Sequence, residues 1–205
     1  MPGVGVFTEA DVNKETVTAT PKAGSPVWVL ITHRSLESFL HVSAELLRDP
    51  QVSRAGAAYL QAPKGKPPFE RTDTWLYRAF RGLPQLHIPA FSRTRVPTRI
   101  FEMRDYESYS EERALNKMDM FDDGEIALMQ DLGMNPVFFG QGVAGPDLPH
   151  LRYITCAPDL ATHLGNWKRF GPDARWIAMR DDPRYQDNVS RNTARFLLPR
   201  PYSAV

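Results

Sequence analysis

The sequence predicts an α+β fold, an antiparallel sheet with helices on one face, and two observations carry that expectation. The first is an internal echo: VWVLITHRSLESFLHVSAELLRDPQV, starting at Val27, returns in outline as LRYITCAPDLATHLGNWKRFGPDARW, starting at Leu151. Aligned without a gap, Leu36 falls on Leu160, Leu40 on Leu164 and Asp49 on Asp173. In a second block Asp73, Thr74, Trp75, Leu76 and Tyr77 lie against Asn192, Thr193, Ala194, Arg195 and Phe196. Self-similarity of this kind is the mark of a duplicated supersecondary unit. The second observation is the order of elements in the later copy. It has a further strand, helix and strand upstream of Leu151, whereas upstream of Val27 there is room for one strand only.

Each element of the second half follows from local pattern. From Arg99, RIFEMRDYE alternates Ile100, Glu102, Arg104 and Tyr106 with Phe101, Met103 and Asp105, the period of a strand with two distinct faces. Ser108 with Glu111 three residues on fits a capping box. It leads into a helix whose Leu115, Met118, Phe121, Leu128, Met129 and Leu132 form one stripe, and Gly133 is placed to stop it. Pro136–Val143 and Leu151–Cys156 read as a hairpin, with Gly145, Pro146 and Pro149 in its loop. Pro158 suits the first turn of a further helix carrying Leu160, Leu164, Trp167 and Phe170, ended by Gly171. A short helix around Arg175–Met179 and a last strand near Thr193–Leu198 follow, before Pro199 and Pro201. Strand, helix, strand, strand, helix, strand is the split β-α-β order of ferredoxin-like folds.

The same reading of the first half finds strands near Val4–Thr8, Val27–Thr32 and Thr74–Phe80, a helix from Ser35 to Leu47 and a shorter one from Val52 to Leu60. A leading strand and helix are absent. The expected organisation is therefore an incomplete ferredoxin-like repeat over residues 1–83, a proline-containing linker over 84–98, and a complete unit over 99–205. In a ferredoxin-like sheet the leading strand is central, so its absence leaves the Thr74–Phe80 strand with unpaired N–H and C=O groups.

Composition narrows the function classes. At 205 residues and 42% apolar, the chain suffices for one large core or two small ones. A net charge of +1, from 25 basic and 24 acidic residues, gives no field to draw in phosphate backbones or anionic lipid, so no nucleic-acid or membrane partner is expected. No run approaches the roughly 18 apolar residues of a bilayer span, and MPGVGVFTEADVNKE lacks the basic head and apolar core of an export signal. A soluble protein, cytoplasmic by default, is the expectation. The single Cys156 sits in an apolar strand and reads as a core side chain.

Several residues together point to a family. The E-x-R-x-Y strand (Glu102, Arg104, Tyr106), the M-F-x-x-G-E helix centre (Met120, Phe121, Gly124, Glu125), the strand with Pro136 and Phe139, the W-x-x-F helix end (Trp167, Phe170) and the Arg200-Pro201-Tyr202-Ser203 tail closely resemble the NIPSNAP domain, from about Arg99 to the C-terminus. The resemblance implies a ferredoxin-like unit of the dimeric α/β-barrel kind, in which two sheets close face to face. It further implies a bacterial-type tandem arrangement, here with a shortened first unit, and it supplies no accepted catalytic set. Self-association, or internal pairing of the two units, is the partner expectation.

The candidate binding residues are Glu102, Arg104 and Tyr106. If Phe101 and Met103 pack under the helices, these three point into the space between the paired sheets. A carboxylate, a guanidinium and a phenol there could hold a small polar or anionic ligand, or form an ion-pair network that fixes sheet pairing. His33, His41, His87, His150 and His163 show no ligand spacing, so no metal and no cofactor are expected. Gly140, Gly142 and Gly145 spell G-x-G-x-x-G, but inside a hairpin rather than at a strand-to-helix turn, which rules out dinucleotide binding there. Asp122, Asp123, Asp181 and Asp182 read as solvated charges, and Trp28, Trp75, Trp167 and Trp176 as core packing. A non-catalytic binding or interaction module is the leading function. The alternative is an enzyme resembling the cofactor-independent monooxygenases and isomerases built on the same barrel, with a polar cluster inside it.

Overall fold

A computed structural model describes residues 3–205. In chain order the elements are β1 (Val4–Asn13), β2 (Thr18–Pro21), β3 (Val27–Ile31), α1 (Leu36–Arg48), α2 (Pro50–Ala55), α3 (Ala57–Leu60), β4 (Leu76–Ala79), α4 (Ala90–Arg93), β5 (Ile100–Glu107) and α5 (Glu111–Met120). A π-helical turn (Phe121–Glu125), α6 (Ile126–Asp131), β6 (Pro136–Ala144), β7 (His150–Ala157), α7 (Leu160–Phe170), α8 (Ala174–Asp181), a 3-10 turn (Pro183–Tyr185) and β8 (Arg191–Pro199) complete it.

Among the described residues all eight strands join one antiparallel sheet in the order β2-β1-β8-β5-β7-β6-β4, with β3 also on β1. The β8-β5-β7-β6 portion is the ferredoxin-like order, and β5 is its centre, laddered to β7 along its whole length and to β8 from Phe101 to Glu107. Strands of the first eighty residues cover the two outer edges of that portion. Phe7–Ala10 of β1 pair with Phe196–Pro199 of β8, and β4 pairs with β6. Two edges that would present open N–H and C=O rows are thereby satisfied within one chain.

The sheet has a core on each side. On the helix-bearing face Tyr106, Phe139, Leu151 and Tyr153 pack against Met118, Phe121, Leu128 and Met129 of α5, the π-helical turn and α6, and against Phe170 of α7. On the inner face Phe7, Phe101, Met103, Val137, Ile154, Cys156 and Leu197 form the second cluster. Burial raises the Cys156 thiol well above its ordinary range, which keeps it an inert core group.

Local chemistry sets the helix limits. The Ser110 hydroxyl accepts from Arg113 N at 3.3 Å and caps α5. The expected cap, Ser108, is instead buried and donates to the Asn188 carbonyl at 2.8 Å. Leu115 leaves the anticipated stripe and is exposed, because the buried face of α5 is centred on Ala114, Lys117 and Met118. Gly133 ends α6 at φ 73°, with its own N–H on Gln130 O and Met134 N on Met129 O, a left-handed cap suited to glycine. Asp159 caps α7 by accepting from Thr162 N at 2.7 Å, so Pro158, expected in the first turn, lies just before the helix.

Other expectations shift as well. The first strand runs on to Asn13 and forms an unforeseen ribbon with β2. The helix expected at Val52–Leu60 is split into α2 and α3 at Gly56. The 84–98 stretch, read as a connector for its prolines, includes α4 and lays Leu86, Ile88 and Phe91 against the inner core.

Phe101 is fully buried on the inner face, 5.0 Å from the Phe7 ring. Phe101→Ala is expected to cost about 3–5 kcal/mol of unfolding free energy in urea denaturation. A loss below about 1 kcal/mol would mean that the inner cluster is not a packed core.

Candidate functional site

Alternation on β5 does separate two faces, but the assignment of those faces is the reverse of the sequence expectation. Phe101 and Met103 enter the inner cluster, so Glu102, Arg104 and Tyr106 lie under the helices, not between paired sheets. The reason is that α7 and the π-helical turn present polar and aromatic partners that match these three residues. Glu102 Oε2 accepts from His163 Nε2 at 2.7 Å and from Trp167 Nε1, both one turn apart on α7. Glu102 Oε1 accepts from Arg104 Nε at 2.9 Å, and the Arg104 guanidinium lies 4.0 Å from the centre of the Trp167 ring. Tyr106 and Tyr153 share a hydroxyl contact at 3.1 Å, and Tyr153 stacks on Phe139.

A second buried ion pair adjoins this chain of contacts. Lys117 Nζ donates to Glu125 Oε2 at 3.1 Å, and the ammonium sits over the Phe121 ring at 4.6 Å. Burial drives the Glu125 carboxyl above its ordinary value, against the pull of Lys117. For Glu102 the balance falls the other way. Burial raises its carboxyl, but the His163 hydrogen bond and the Arg104 charge outweigh this and hold it below 4.5. The three candidate residues are thus brought together, with both Glu102 oxygens, the Tyr106 hydroxyl and Arg104 Nε and Nη1 bonded to neighbours within the fold.

The face expected to be apolar carries a polar cluster that sequence reasoning missed. Asp105 and Arg152 face each other in register, and Arg152 Nη2 donates to Asp105 Oδ2 at 3.2 Å while Nε donates to Oδ1. Arg195 Nη1 from β8 reaches the same Oδ2 at 2.6 Å. The Arg152 guanidinium is enclosed by Trp75, Trp28 and Tyr77 at 4.6, 5.1 and 5.4 Å. Glu9 accepts from Trp28 Nε1 and from Lys22, and Tyr77 Oη and His150 Nε2 are 2.8 Å apart. Burial lowers the His150 pKa and raises that of Tyr77, so both stay neutral at ordinary pH. The available signal was Arg152, a lone charge in the period-two row of His150, Ile154 and Cys156, opposite the lone Asp105 in the row of Phe101 and Met103. Trp28 and Trp75 therefore flank a charge, whereas Trp176 packs against Phe170 as expected of a core residue.

The remaining candidates disperse. Asp122 accepts from Gly82 N and pairs with Arg81, and Asp123 accepts from Tyr185 Oη, so both tie loops to the helix. Asp181 and Asp182 pair with Arg180 and Arg184 at the surface. Among the described residues no three His, Cys, Asp or Glu side chains gather as a metal site, and no helix is long and apolar enough to cross a membrane. The surface carries shallow, open hollows, one of about 510 Å³ beside Pro50, Gln51, Arg54 and Ala55, another of about 240 Å³ bordered by Glu9, Lys22, Arg195 and Phe196. Neither is lined by Glu102, Arg104 or Tyr106.

With this geometry in hand, comparison with known proteins places the chain. The NIPSNAP family model matches residues 101–204, half of the sequence. The chain belongs to the NIPSNAP family. A NIPSNAP family protein from Agrobacterium tumefaciens C58 is 20% identical, with a TM-score of 0.46, over 51% of this chain and 96% of its own. Two candidate monooxygenases match nearly the whole chain at 6% identity. The one from Lactobacillus acidophilus NCFM has a TM-score of 0.51 over 96% of this chain and 77% of its own, and the one from Fusobacterium nucleatum has 0.53 over 97% and 76%. At that identity the likeness speaks for the fold. Comparison with curated proteins finds no match.

The depressed Glu102 carboxyl gives a signed pH prediction. A group whose folded pKa lies below its unfolded value stabilises the fold above the unfolded value, and that stability is lost as pH falls through the folded value. The native protein is therefore expected to lose stability below pH 4.5 more steeply than Glu102→Gln, with the two slopes converging at neutral pH, as read by urea unfolding across pH. Parallel slopes would mean that the Glu102 carboxylate is not favoured by its surroundings.

Proposed function

We propose that this NIPSNAP protein is a non-catalytic interaction module, and that the Glu102, Arg104 and Tyr106 cluster is a pairing network and not a ligand site. What supports this reading is a contrast. Most polar groups on both faces of the sheet are engaged with each other, Trp75 Nε1, His150 Nδ1, Thr155 Oγ1 and His163 Nδ1 being buried exceptions, while the outer surface of the first sixty residues leaves large apolar side chains in solvent. Val27, Val29 and Ile31 of β3 and Leu36, Leu40, Leu46 and Leu47 around α1 are all exposed, and α1 buries none of its residues. Large apolar side chains exposed in such number on neighbouring elements mark an interaction face. Partner recognition is accordingly assigned to the first half and scaffolding to the second.

The enzyme reading has one observation in its favour, the polar cluster of Asp105, Arg152 and His150 on the inner face, on a fold shared with the two candidate monooxygenases. Against it, Arg152 is already filled on both sides, by Asp105 and by the rings of Trp28 and Trp75. A substrate would have to displace them.

Arg104→Ala leaves Glu102 buried with one fewer cation, a change worth about 3–5 kcal/mol. Melting is expected to fall by about 10 °C on that basis, with no compound released. Native mass spectrometry of the purified protein checks the second half of the statement. An unchanged melting temperature together with loss of a co-purified small molecule in the variant would replace the interaction reading with a ligand-binding one.

A further inference from the structure

Among the described residues the buried cations are Arg99, Lys117 and Arg152, and they are not treated alike. Lys117 is paired with Glu125 and Arg152 with Asp105. Arg99 is as deeply buried as Lys117, both at 5% exposure, yet it bonds to no carboxylate among the described residues. Its Nη1 donates to the Val96 carbonyl at 3.0 Å, and its Nε is buried with no hydrogen-bond partner. The charge of Arg95 acts on it unfavourably, and the neighbouring Cys156 thiol is kept protonated by burial, so neither offsets the guanidinium. Taking a cation out of water without a counter-charge is costly, and a fold that does so presents a demand for an anion.

The surrounding chain supplies no acid. From Gly82 to Phe101 the sequence contains Arg93, Arg95 and Arg99 and neither Asp nor Glu. This stretch folds back on α4: Val96 N donates to Phe91 O at 2.9 Å, Arg95 N to Ser92 O at 3.0 Å and Arg99 N to Val96 O at 3.2 Å. The Val96 carbonyl thus receives both the backbone N–H and Nη1 of Arg99, which pins the guanidinium at one end and leaves its Nε side without an acceptor. In the same loop the Ser92 hydroxyl is 2% exposed and also has no partner. Arg95 holds a left-handed backbone at φ 56°, an uncommon conformation for a residue with a Cβ. Residues 93–95, 97 and 98 are exposed, so the two buried donors are flanked by chain in contact with solvent.

We propose that the loop from Ser92 to Arg99 binds a phosphate group, with Arg99 as the buried anchor, the Ser92 hydroxyl as a further donor and Arg95 as the outer charge. With Nη1 committed to Val96, the Nε side of the Arg99 fork is the edge that takes two oxygens of an oxyanion side by side. Charge chooses among oxyanions: a phosphate dianion matches the two guanidinium groups, whereas a carboxylate offsets only one. The ligand is free phosphate or a phosphate monoester, which share this chemistry. The site has no residue in common with the Glu102 cluster or with the apolar surface of the first sixty residues, so it goes beyond the interaction reading and does not depend on it.

The test titrates the full chain with inorganic phosphate and with O-phosphoserine, using sodium acetate and sodium chloride at matched ionic strength as controls, and follows heat of binding and melting temperature. One saturable phosphate site per chain is expected, with melting raised by about 5–10 °C at a hundredfold excess over half-saturation. Arg99→Met removes a buried charge that has no counter-charge, so it is expected to melt no lower than the native protein in phosphate-free buffer and to lose the phosphate effect. Arg95→Gly relieves the left-handed backbone while removing a charge, and is expected to keep its stability and to bind phosphate about tenfold more weakly. Binding of O-phosphoserine as tight as that of phosphate makes the ligand a monoester, and its exclusion makes it the free ion; either result supports the site. Three results would overturn the inference. The first is the lack of saturable phosphate binding. The second is acetate stabilising as strongly as phosphate. The third is phosphate raising the melting of the native protein and of both variants equally, the mark of a general salt effect, with Arg99→Met less stable throughout, which would reduce Arg99 to a structural bond to Val96.

Discussion

The rest of the structure depends on the pairing of sheet edges. An unpaired strand edge in a partly apolar setting leaves a row of backbone donors and acceptors without partners, a cost comparable to that of the hydrogen bonds forgone. In the NIPSNAP portion β5 is central and satisfied on both sides, which leaves β8 and β6 as the edges. The chain meets that requirement from its own first half, with β1 on β8 and β4 on β6. The inner cluster follows from this closure, because Phe7 and Trp28 come from the first half and Phe101, Val137 and Leu197 from the second. The 84–98 stretch completes it with Leu86, Ile88 and Phe91, and so acts as part of the core.

Charges are distributed to suit the same architecture. Each face of the sheet contains a buried carboxylate bonded to arginine and framed by aromatic rings: Glu102 with Arg104 and Trp167 outside, Asp105 with Arg152, Trp28 and Trp75 inside. Such groups contribute little net stability over an apolar core, but removing one partner strands the other at high cost. They tie particular strands to particular helices and to each other in one register. Arg195 adds β8 to the inner network, and His163 and Trp167 fix α7 to β5.

Much of the second half was legible in the sequence because its periodicities are strong. The alternation of Arg99–Glu107, the stripe of Met118, Phe121, Leu128 and Met129, and Gly133 each have a single physical reading, and the NIPSNAP motifs fall on them. The facing of β5 was not legible. Both rows of that strand contain apolar and charged members, so alternation identifies two faces without saying which meets the helices. That depended on His163 and Trp167, some sixty residues away in sequence. The inner cluster escaped for a related reason, since Asp105, Arg152 and Arg195 belong to three strands and become one site only through register. The β2 ribbon was missed because TATP is short and mostly exposed.

The central claim is that strands of the first half hold both edges of the NIPSNAP sheet and belong to one cooperative structure with it. Residue-resolved hydrogen exchange on the full chain tests this most directly, at residues 7–10 of β1 and at Phe80 and His87, whose N–H groups donate to Phe139 and Val137 carbonyls. The account predicts that the inter-strand amides among these exchange through the same global opening as those of β5, with matching free energies. Exchange orders of magnitude faster than β5, as from a first half that detaches on its own, would contradict it.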